Sequence, residues 1–266
     1  MEQRLAKAAE WGHLEEVKTF LCDNPSLDIN WKDKFQRTAL HSAAFGGNSE
    51  IVQLFLAHPD IHVNVQATLG HTPFSLASMK GHISVVRLLL KDPRVDVTLT
   101  NADGHTPLWY ASFEGNWEVV EWLIASGRNL GALTKKGAFA GKRYTTLDIA
   151  RKRNKDHVVA VLERFTANPG QTRNELRMKL GLRDDLAAEL FSATIFLCDG
   201  LLHLKPANTA TAPISRFFVI AKKLPMELQM ILCNYAFGVL KQNIRQQHAE
   251  AAFKSLAMTL LLSRPK

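Results

Sequence analysis

The chain has 266 residues, of which 46% are hydrophobic and 22% are charged. This composition is typical of one or two globular domains, and 15 glycines with 10 prolines exclude a collagen-like or disordered chain. The formal net charge is +8, but it is unevenly distributed: residues 1–127 hold 10 Lys and Arg against 15 Asp and Glu, and residues 128–266 hold 23 against 10. This asymmetry predicts either two functional regions or an electrostatic surface for a partner.

The residues at the start of the sequence predict no targeting signal. The first dozen residues alternate charges with alanines, and the longest apolar stretch, at 190–198, has nine residues. A membrane-spanning helix needs about 20 apolar residues. We therefore expect an intracellular protein of the cytoplasm or nucleus, with no signal peptide and no membrane segment.

A short pattern then recurs every 34 residues. It begins at Thr38, Thr72 and Thr106 and reads TALHSAA, TPFSLAS and TPLWYAS. A glycine follows each copy, and a second apolar run follows the glycine, at 51–56, 85–90 and 119–124. Weaker copies lie at 5–9 and 145–150. Self-similarity at this period predicts a repeat protein.

The residues of one copy explain how a unit folds. Thr72 can cap a helix, Pro73 suits its first position, and Gly81 can end it in a left-handed turn. The second run has its valines and leucines at helical spacing. Because one such helix pair cannot bury its own apolar face, the units must stack.

With these residues the chain resembles the ankyrin repeat family, whose T-P-L-H-x-A signature recurs every 33 residues. The resemblance covers residues 3–165 and implies an all-α ankyrin-repeat solenoid of about five helix-turn-helix units, near 3–37, 38–71, 72–105, 106–144 and 145–165. We expect a monomer. Gln36 replaces the usual glycine before Thr38, which predicts a looser turn. The fifth unit has an insertion, residues 135–143, that is rich in Gly and Lys.

The family implies a binding scaffold whose concave face, made of turn tips and first helices, contacts a protein partner. Carried over position by position, the contact residues are Lys34, Phe35, Arg37, Phe45, Leu69, His71, Met79, Lys80, Asp103, His105, Phe113, Glu114, Lys152 and Arg153.

Several of these positions are apolar, and they become basic at the fifth unit. The apolar positions form a row that consists of Phe35, Phe45, Leu69, Met79 and Phe113. An exposed row of this kind favours a protein partner, because aromatic anchors dominate the energetics of protein interfaces. The alternative is that these side chains pack on one another or on the rest of the chain.

The period stops at Asn168-Pro169-Gly170, which we interpret as a turn or linker. Residues 168–266 are expected to form a helical region that packs on the last unit. The pattern predicts helices at 172–180, 184–198, 214–222, 225–241 and 247–262, with a loop at 205–213. The whole chain should therefore be helical.

One segment of this region has a more specific resemblance. A proline stands at the start of a predicted helix with an apolar stripe behind it, in the set Leu224, Pro225, Glu227, Leu228 and Leu232. With these residues the segment 224–263 resembles an F-box-like module. That resemblance implies docking to a ubiquitin-ligase adaptor, with the repeats choosing the substrate. A well-capped helix beginning Leu-Pro would give the same pattern.

No catalytic or metal-binding constellation emerges. Cys22, Cys198 and Cys233 lie in apolar helical contexts, where buried thiols without a chemical role are expected. We predict a protein that is not an enzyme and that has no cofactor and no metal site.

A basic patch offers a function of another class. Eight Lys and Arg lie within residues 135–155, with Tyr144 among them. This patch could bind the phosphates of nucleic acid or lipid, or serve nuclear import. The alternative is a solvated end of the repeat stack.

Overall fold

The computed structural model describes residues 1–25, 27–182, 187, 190–195 and 226–236. The chain divides into two compact units, Met1–Leu176 and Arg177–Lys266. In the second unit, residues 190–195 and Met226–Ala236 are helical. The preceding elements are α1 (Glu2–Trp11), α2 (Leu14–Asp23), α3 (Ala39–Gly46), α4 (Ser49–Leu56), α5 (Pro73–Lys80), α6 (Ile83–Lys91), α7 (Pro107–Glu114), α8 (Trp117–Ala125), β1 (Gly137–Phe139), β2 (Lys142–Tyr144), α9 (Thr146–Lys152), α10 (Asp156–Ala167) and α11 (Pro169–Lys179).

The helices α1 to α10 form five pairs that stack in single file. Each first helix, from α1 to α9, contacts the first helix of the next pair, and the second helices α2 to α10 do the same. Phe55, Phe74 and Leu89 are among the fully buried side chains between them. This arrangement confirms the predicted all-α solenoid, in which each pair buries its apolar face on its neighbours.

The repeated threonines and glycines set the limits of the first helices. The hydroxyl oxygens of Thr72, Thr106 and Thr145 each accept a hydrogen bond from the backbone N–H three residues on, at 3.1 Å. Gly81 ends α5 with a φ of 76°. In the fifth unit Asn154 takes the corresponding place with a φ of 55°, which asparagine tolerates better than most residues.

The residue after each closing glycine ties its unit to the one before. Asn48 donates from Nδ2 to the carbonyl oxygens of Ala9 and Glu10, at 2.7 and 2.8 Å. Asn116 donates in the same way to Ser78 and Met79, at 3.0 and 2.8 Å. These carbonyls lie at the end of a helix and lack intrahelical partners, so the asparagines satisfy them while fixing the stacking register.

The turn at Gln36 keeps the geometry of its glycine-containing counterparts, although the sequence predicted a looser turn. Gln36 has a φ of 59°, and its N–H donates to the Asp33 carbonyl at 2.8 Å. The corresponding bond from Gly70 to Ala67 measures 2.7 Å. The turn is therefore held by the same hydrogen bonds, with a non-glycine residue in the left-handed region.

Replacing Gln36 by glycine should therefore raise the free energy of unfolding, by about 1 kcal/mol, because it relieves the left-handed strain of a residue with a Cβ. Urea unfolding followed by circular dichroism measures this. Gln53→Gly, on the exposed side of α4, is the matched control and should lower stability by about 1 kcal/mol. Equal losses in both variants would contradict the expectation.

The expectation of an entirely helical chain is wrong at residues 137–144. There β1 and β2 pair in an antiparallel hairpin, with Phe139 opposite Lys142. The two loop residues, Ala140 and Gly141, have φ values of 50° and 75°, the left-handed pair that a tight hairpin turn of this length favours. The insertion is thus an ordered element.

The interpretation of residues 168–170 as a turn or linker holds for Asn168 alone, the single residue between α10 and α11, because Pro169 and Gly170 are helical. The side chain of Asn168 caps α11 by accepting a hydrogen bond from Gln171 N–H at 3.1 Å, and Pro169 begins the helix. Thr172 and Leu176 are buried, and Arg173 Nε donates to the Ile124 carbonyl at 3.2 Å. The start of α11 therefore packs on the repeats.

The second unit is described in part. Residues 190–195 lie within the predicted helix 184–198, and Met226–Ala236 lies within the predicted helix 225–241. The predictions for 205–213, 214–222 and 247–262 fall outside the described residues. In the part of the chain that the structure describes, none of the helices has the length and apolar character needed to cross a bilayer.

Candidate interaction surface

The residues carried over from the repeat pattern fall at turn tips and at the ends of first helices. We call the surface that they form the tip face; it comprises Lys34, Phe35, Arg37, Thr68, Leu69, His71, Ala102 and Asp103 at or beside the tips, and Phe45, Met79, Lys80, Phe113, Glu114, Lys152 and Arg153 at the helix ends.

Backbone hydrogen bonds join successive tips. Thr68 N–H donates to the Phe35 carbonyl at 2.9 Å, and Ala102 N–H donates to the Leu69 carbonyl at 3.1 Å. Ala138, in β1, continues the series by donating to the Asp103 carbonyl at 3.0 Å. The hairpin is therefore the turn tip of the fifth unit, enlarged by the insertion.

Three apolar residues of the tip face are open to solvent. Phe35, Phe45 and Leu69 have 49%, 37% and 64% of their surface exposed. Phe35 and Leu69 lie at the turn tips that precede α3 and α5, and Phe45 lies in the last turn of α3. The tips that carry Phe35 and Leu69 are neighbours, since Thr68 N–H bonds the Phe35 carbonyl, and large exposed apolar side chains on neighbouring elements are typical of interaction sites.

The other two residues of the apolar row are engaged within the chain. Met79 and Phe113 are half-buried against a cluster around Trp109 and Tyr110. Phe113 stacks on Trp109, with ring centroids 5.3 Å apart, and meets the edge of Phe139 at 5.0 Å. The alternative of packing within the chain therefore applies to this half of the row.

His105 was predicted to contact a partner, but it is buried within the chain. It is only 7% exposed, its ring stacks on Trp109 at 3.7 Å, and its Nε2 bonds the Ala138 carbonyl at 2.7 Å. A Cβ on Gly137 would lie 2.2 Å from this ring. The hairpin covers His105 closely, so its ring is not available to a partner on this surface.

Trp109 makes a second connection to the hairpin. Its Nε1 donates to the Tyr144 carbonyl at 3.2 Å. His41, at the same position of the second unit, bonds through Nε2 to the His71 carbonyl at 3.1 Å. In both units a ring N–H therefore reaches the residue just before the next helix-capping threonine.

Burial keeps the histidines near the tips neutral. It lowers the pKa of His41 to about 4 and also lowers the pKa values of His71 and His105. A hydrogen bond to Ala138 and the charge of Asp103 oppose this shift at His105. At neutral pH the positive charge of the tip face therefore comes from its lysines and arginines.

Basic side chains lie over the aromatic rings of the tip face. Lys80 Nζ is 4.5 Å from the centroid of the Phe45 ring, and the guanidinium carbon of Arg153 is 4.6 Å from that of Phe113. Lys34 and Arg37 lie over Phe35 at 5.0 and 5.3 Å. These distances fit cation–π contacts, so the face is aromatic and basic at once.

A comparison with protein families agrees with this architecture. The family model for ankyrin repeats (3 copies) matches residues 5–101, 56–134 and 77–172, which together cover more than half of the chain. The chain belongs to the ankyrin repeat family. A search of the curated proteins gives no match to it.

The first unit of this ankyrin repeat protein adds a residue that the sequence analysis missed. Trp11 directly precedes Gly12, as Lys80 precedes Gly81, and 74% of its surface is exposed. Its place before the closing glycine was the available signal. The weak match of the first unit to the repeat pattern concealed it.

The basic patch lies largely on the surface of the ankyrin stack. Lys135, Lys136, Lys142, Arg143 and Lys152 are all exposed. Arg151 pairs with Glu163 at 2.7 Å. The patch therefore includes the hairpin and the end of α9, which borders the tip face.

The residues of the F-box-like segment are only partly described. Leu224 and Pro225 lie outside the described residues, and Glu227 is described only as part of a helix. Leu228 is exposed and Leu232 is half-buried on that helix. Docking to a ubiquitin-ligase adaptor stays a prediction.

The cysteines differ in their surroundings. Cys233 is buried, and burial raises its pKa to about 11, as expected for an unreactive thiol. Cys22 is exposed near the end of α2, contrary to the expectation of burial; Cys198 lies outside the described residues. No group of three or more His, Cys, Asp or Glu side chains suited to a metal ion occurs among the residues that the structure describes.

Proposed function

We propose that this protein is a non-enzymatic scaffold that binds a protein partner through the tip face, the concave face of an ankyrin stack. Ankyrin repeats form a protein–protein interaction module. The observation that carries the proposal is the exposure of Phe35 and Leu69 on adjacent turn tips and of Phe45 at the end of α3. Five units offer room for an interface of standard size, about 1,600 Å² in total.

The expected contact residues follow from exposure and position. Phe35, Phe45 and Leu69 serve as apolar anchors, because buried aromatic and aliphatic groups dominate binding energy. Met79 and Phe113 contribute edges that their packing leaves open. The polar surroundings are Lys34, Arg37, His71, Lys80, Asp103, Glu114, Lys152 and Arg153.

The combined variant Phe35→Ser/Phe45→Ser/Leu69→Ser should lose its specific partners. We expect at least a tenfold loss of each partner in a quantitative pull-down of the full chain, because the anchors are removed. The thermal unfolding curve should move little, since substitutions at exposed sites usually change stability by less than about 0.5 kcal/mol each.

Trp117→Ser is the matched control. Trp117 lies on a second helix and, like Phe45, has 37% of its surface exposed. It should retain the partners that the triple variant loses. An unchanged set of partners in a folded triple variant would refute binding through the tip face.

Phosphate binding is a second candidate function, favoured by the exposure of the lysines and arginines at 135–155. A protein that neutralises several phosphates binds nucleic acid with an affinity that falls steeply with salt. A gel-shift assay at low salt tests it: no shift with either DNA or RNA would remove this function.

A further inference from the structure

Four cations of the tip face are placed to receive anions. Lys34, Lys80, Lys152 and Arg153 form no ion pair with any carboxylate of the described residues. Each lies over an aromatic ring, and Lys152 is 5.3 Å from the ring centroid of Tyr144. Ring contacts restrict the side chains before any partner arrives, which lowers the entropic cost of pairing them with an anion.

Arg37, in contrast to these four cations, forms an ion pair within the chain. Its guanidinium pairs with Asp33 at 2.9 Å, and it is half-buried. The four cations above lack such a counter-charge among the described residues, although residues 1–127 contain more acidic than basic side chains.

The hairpin extends the positive region. Lys135, Lys136 and Lys142 are exposed on or beside the hairpin, and Lys152 lies over the ring of Tyr144 in its second strand. Exposed cations of the tip face therefore occur at the tip before α3 (Lys34), at the end of α5 (Lys80) and at the end of α9 (Lys152 and Arg153). Electrostatic complementarity of this kind selects partners and speeds their association.

We infer that the segment bound on the tip face is acidic, an extended peptide stretch of a partner protein in which Asp or Glu alternates with apolar residues. This inference rests on the proposed function. The carboxylates pair with Lys34, Lys80, Lys152 and Arg153, and the apolar residues contact Phe35, Phe45 and Leu69.

The acidic residues of the tip face favour an acidic peptide over a nucleic acid. Asp103 and Glu114 are exposed between the two ends of the tip face. They would repel a continuous row of phosphates, whereas a peptide can place neutral residues opposite them.

The test uses three labelled probes against the full chain in fluorescence anisotropy. The first is a 20-residue peptide of alternating Glu and Leu-Ser segments, the second has Gln in place of every Glu, and the third is a 20-nucleotide oligothymidylate. We expect the acidic peptide to bind at least tenfold more tightly than the Gln peptide at 50 mM salt, and this ratio to shrink as salt rises.

Charge reversal then locates the binding site. Lys34→Glu/Lys80→Glu/Lys152→Glu should weaken binding of the acidic peptide at least tenfold. The control Lys18→Glu/Arg87→Glu/Lys91→Glu makes the same change of net charge at exposed positions of second helices and should change affinity less than twofold. Equal affinity for the Glu and Gln peptides, or equal weakening by both variants, would overturn the inference. Tighter binding of the oligonucleotide, weakened by the first variant alone, would overturn it in favour of a nucleic acid.

The same variants separate this inference from the proposed function. A pulled-down partner that is lost on Phe35→Ser/Phe45→Ser/Leu69→Ser but retained by Lys34→Glu/Lys80→Glu/Lys152→Glu would leave the proposed function standing and refute an acidic segment. A partner retained by both variants would refute both.

Discussion

Trp109→Ala is expected to lower the free energy of unfolding by about 3–5 kcal/mol, the usual cost of truncating a large buried aromatic residue. Trp109 is 2% exposed and lies between the rings of His105 and Phe113. Its loss would leave a cavity where the fourth unit meets the hairpin. Urea unfolding followed by circular dichroism at pH 7.5 measures the change.

Trp109→Phe separates the hydrogen bond from the packing. It retains an aromatic ring but leaves the Tyr144 carbonyl without its indole donor, which should cost about 1–3 kcal/mol. Amide hydrogen exchange at Ala138, whose N–H bonds the Asp103 carbonyl, reports on hairpin docking. Exchange should quicken strongly in Trp109→Ala and weakly in Trp109→Phe. A loss below 1 kcal/mol in Trp109→Ala, with unchanged exchange at Ala138, would show that the hairpin does not depend on this side chain.

The fourth unit also shows which features the repeat pattern predicts, the helix starts, and which it does not, the contacts of Trp109 with the next unit. Thr106-Pro107-Leu108 predicted the start of α7 correctly, because helix capping depends on a few consecutive residues. The fourth residue of the pattern is His41 in one unit and Trp109 in another, and their shared role, bonding the next unit, depends on residues 30 and 35 positions away. No local pattern in a single sequence encodes that distance.

The hairpin is the main element that the sequence did not predict. Its turn residues, Ala140 and Gly141, are a weaker signal than Asn-Gly, and its strands have only three residues each. Its docking depends on Gly137, whose missing side chain makes room for the His105 ring. The sequence showed an insertion at these residues but not that it packs on His105, so His105 was expected at the surface.

The candidate surface was therefore predicted in part. Positions in the repeat pattern placed Phe35, Phe45 and Leu69 correctly among exposed residues. Met79 and Phe113 are instead half-buried, because both pack on the cluster around Trp109 and Phe113 also meets Phe139 of the hairpin. Exposure depends on the neighbouring unit, and a single unit's sequence does not specify its neighbour's shape.

The stability of the stack is expected to fall as the pH decreases from about 6.5 to about 4, the ordinary and folded pKa values of His41. In the fold His41 Nδ1 accepts from Thr38 N–H at 3.1 Å, so it must stay unprotonated, and burial lowers its pKa. The unfolded chain binds a proton at a higher pH than the folded chain does. This stabilisation is therefore complete above pH 6.5 and is lost on acidification, by about 3 kcal/mol for this residue.

His71 and His105 have pKa values lowered in the same direction and should add to the loss. Asp33, whose pKa is lowered from 3.8, contributes stability that is lost only below that pH, so the carboxylate effect falls in a separate range. Urea unfolding at pH 7.5, 5.5 and 4.5 measures the slope. His41→Asn should be less stable than the parent at pH 7.5, because it loses the bond to His71, yet its stability should depend less on pH. If the free energy of unfolding of the two proteins changed equally with pH, the proton that destabilises the stack would bind at a residue other than His41.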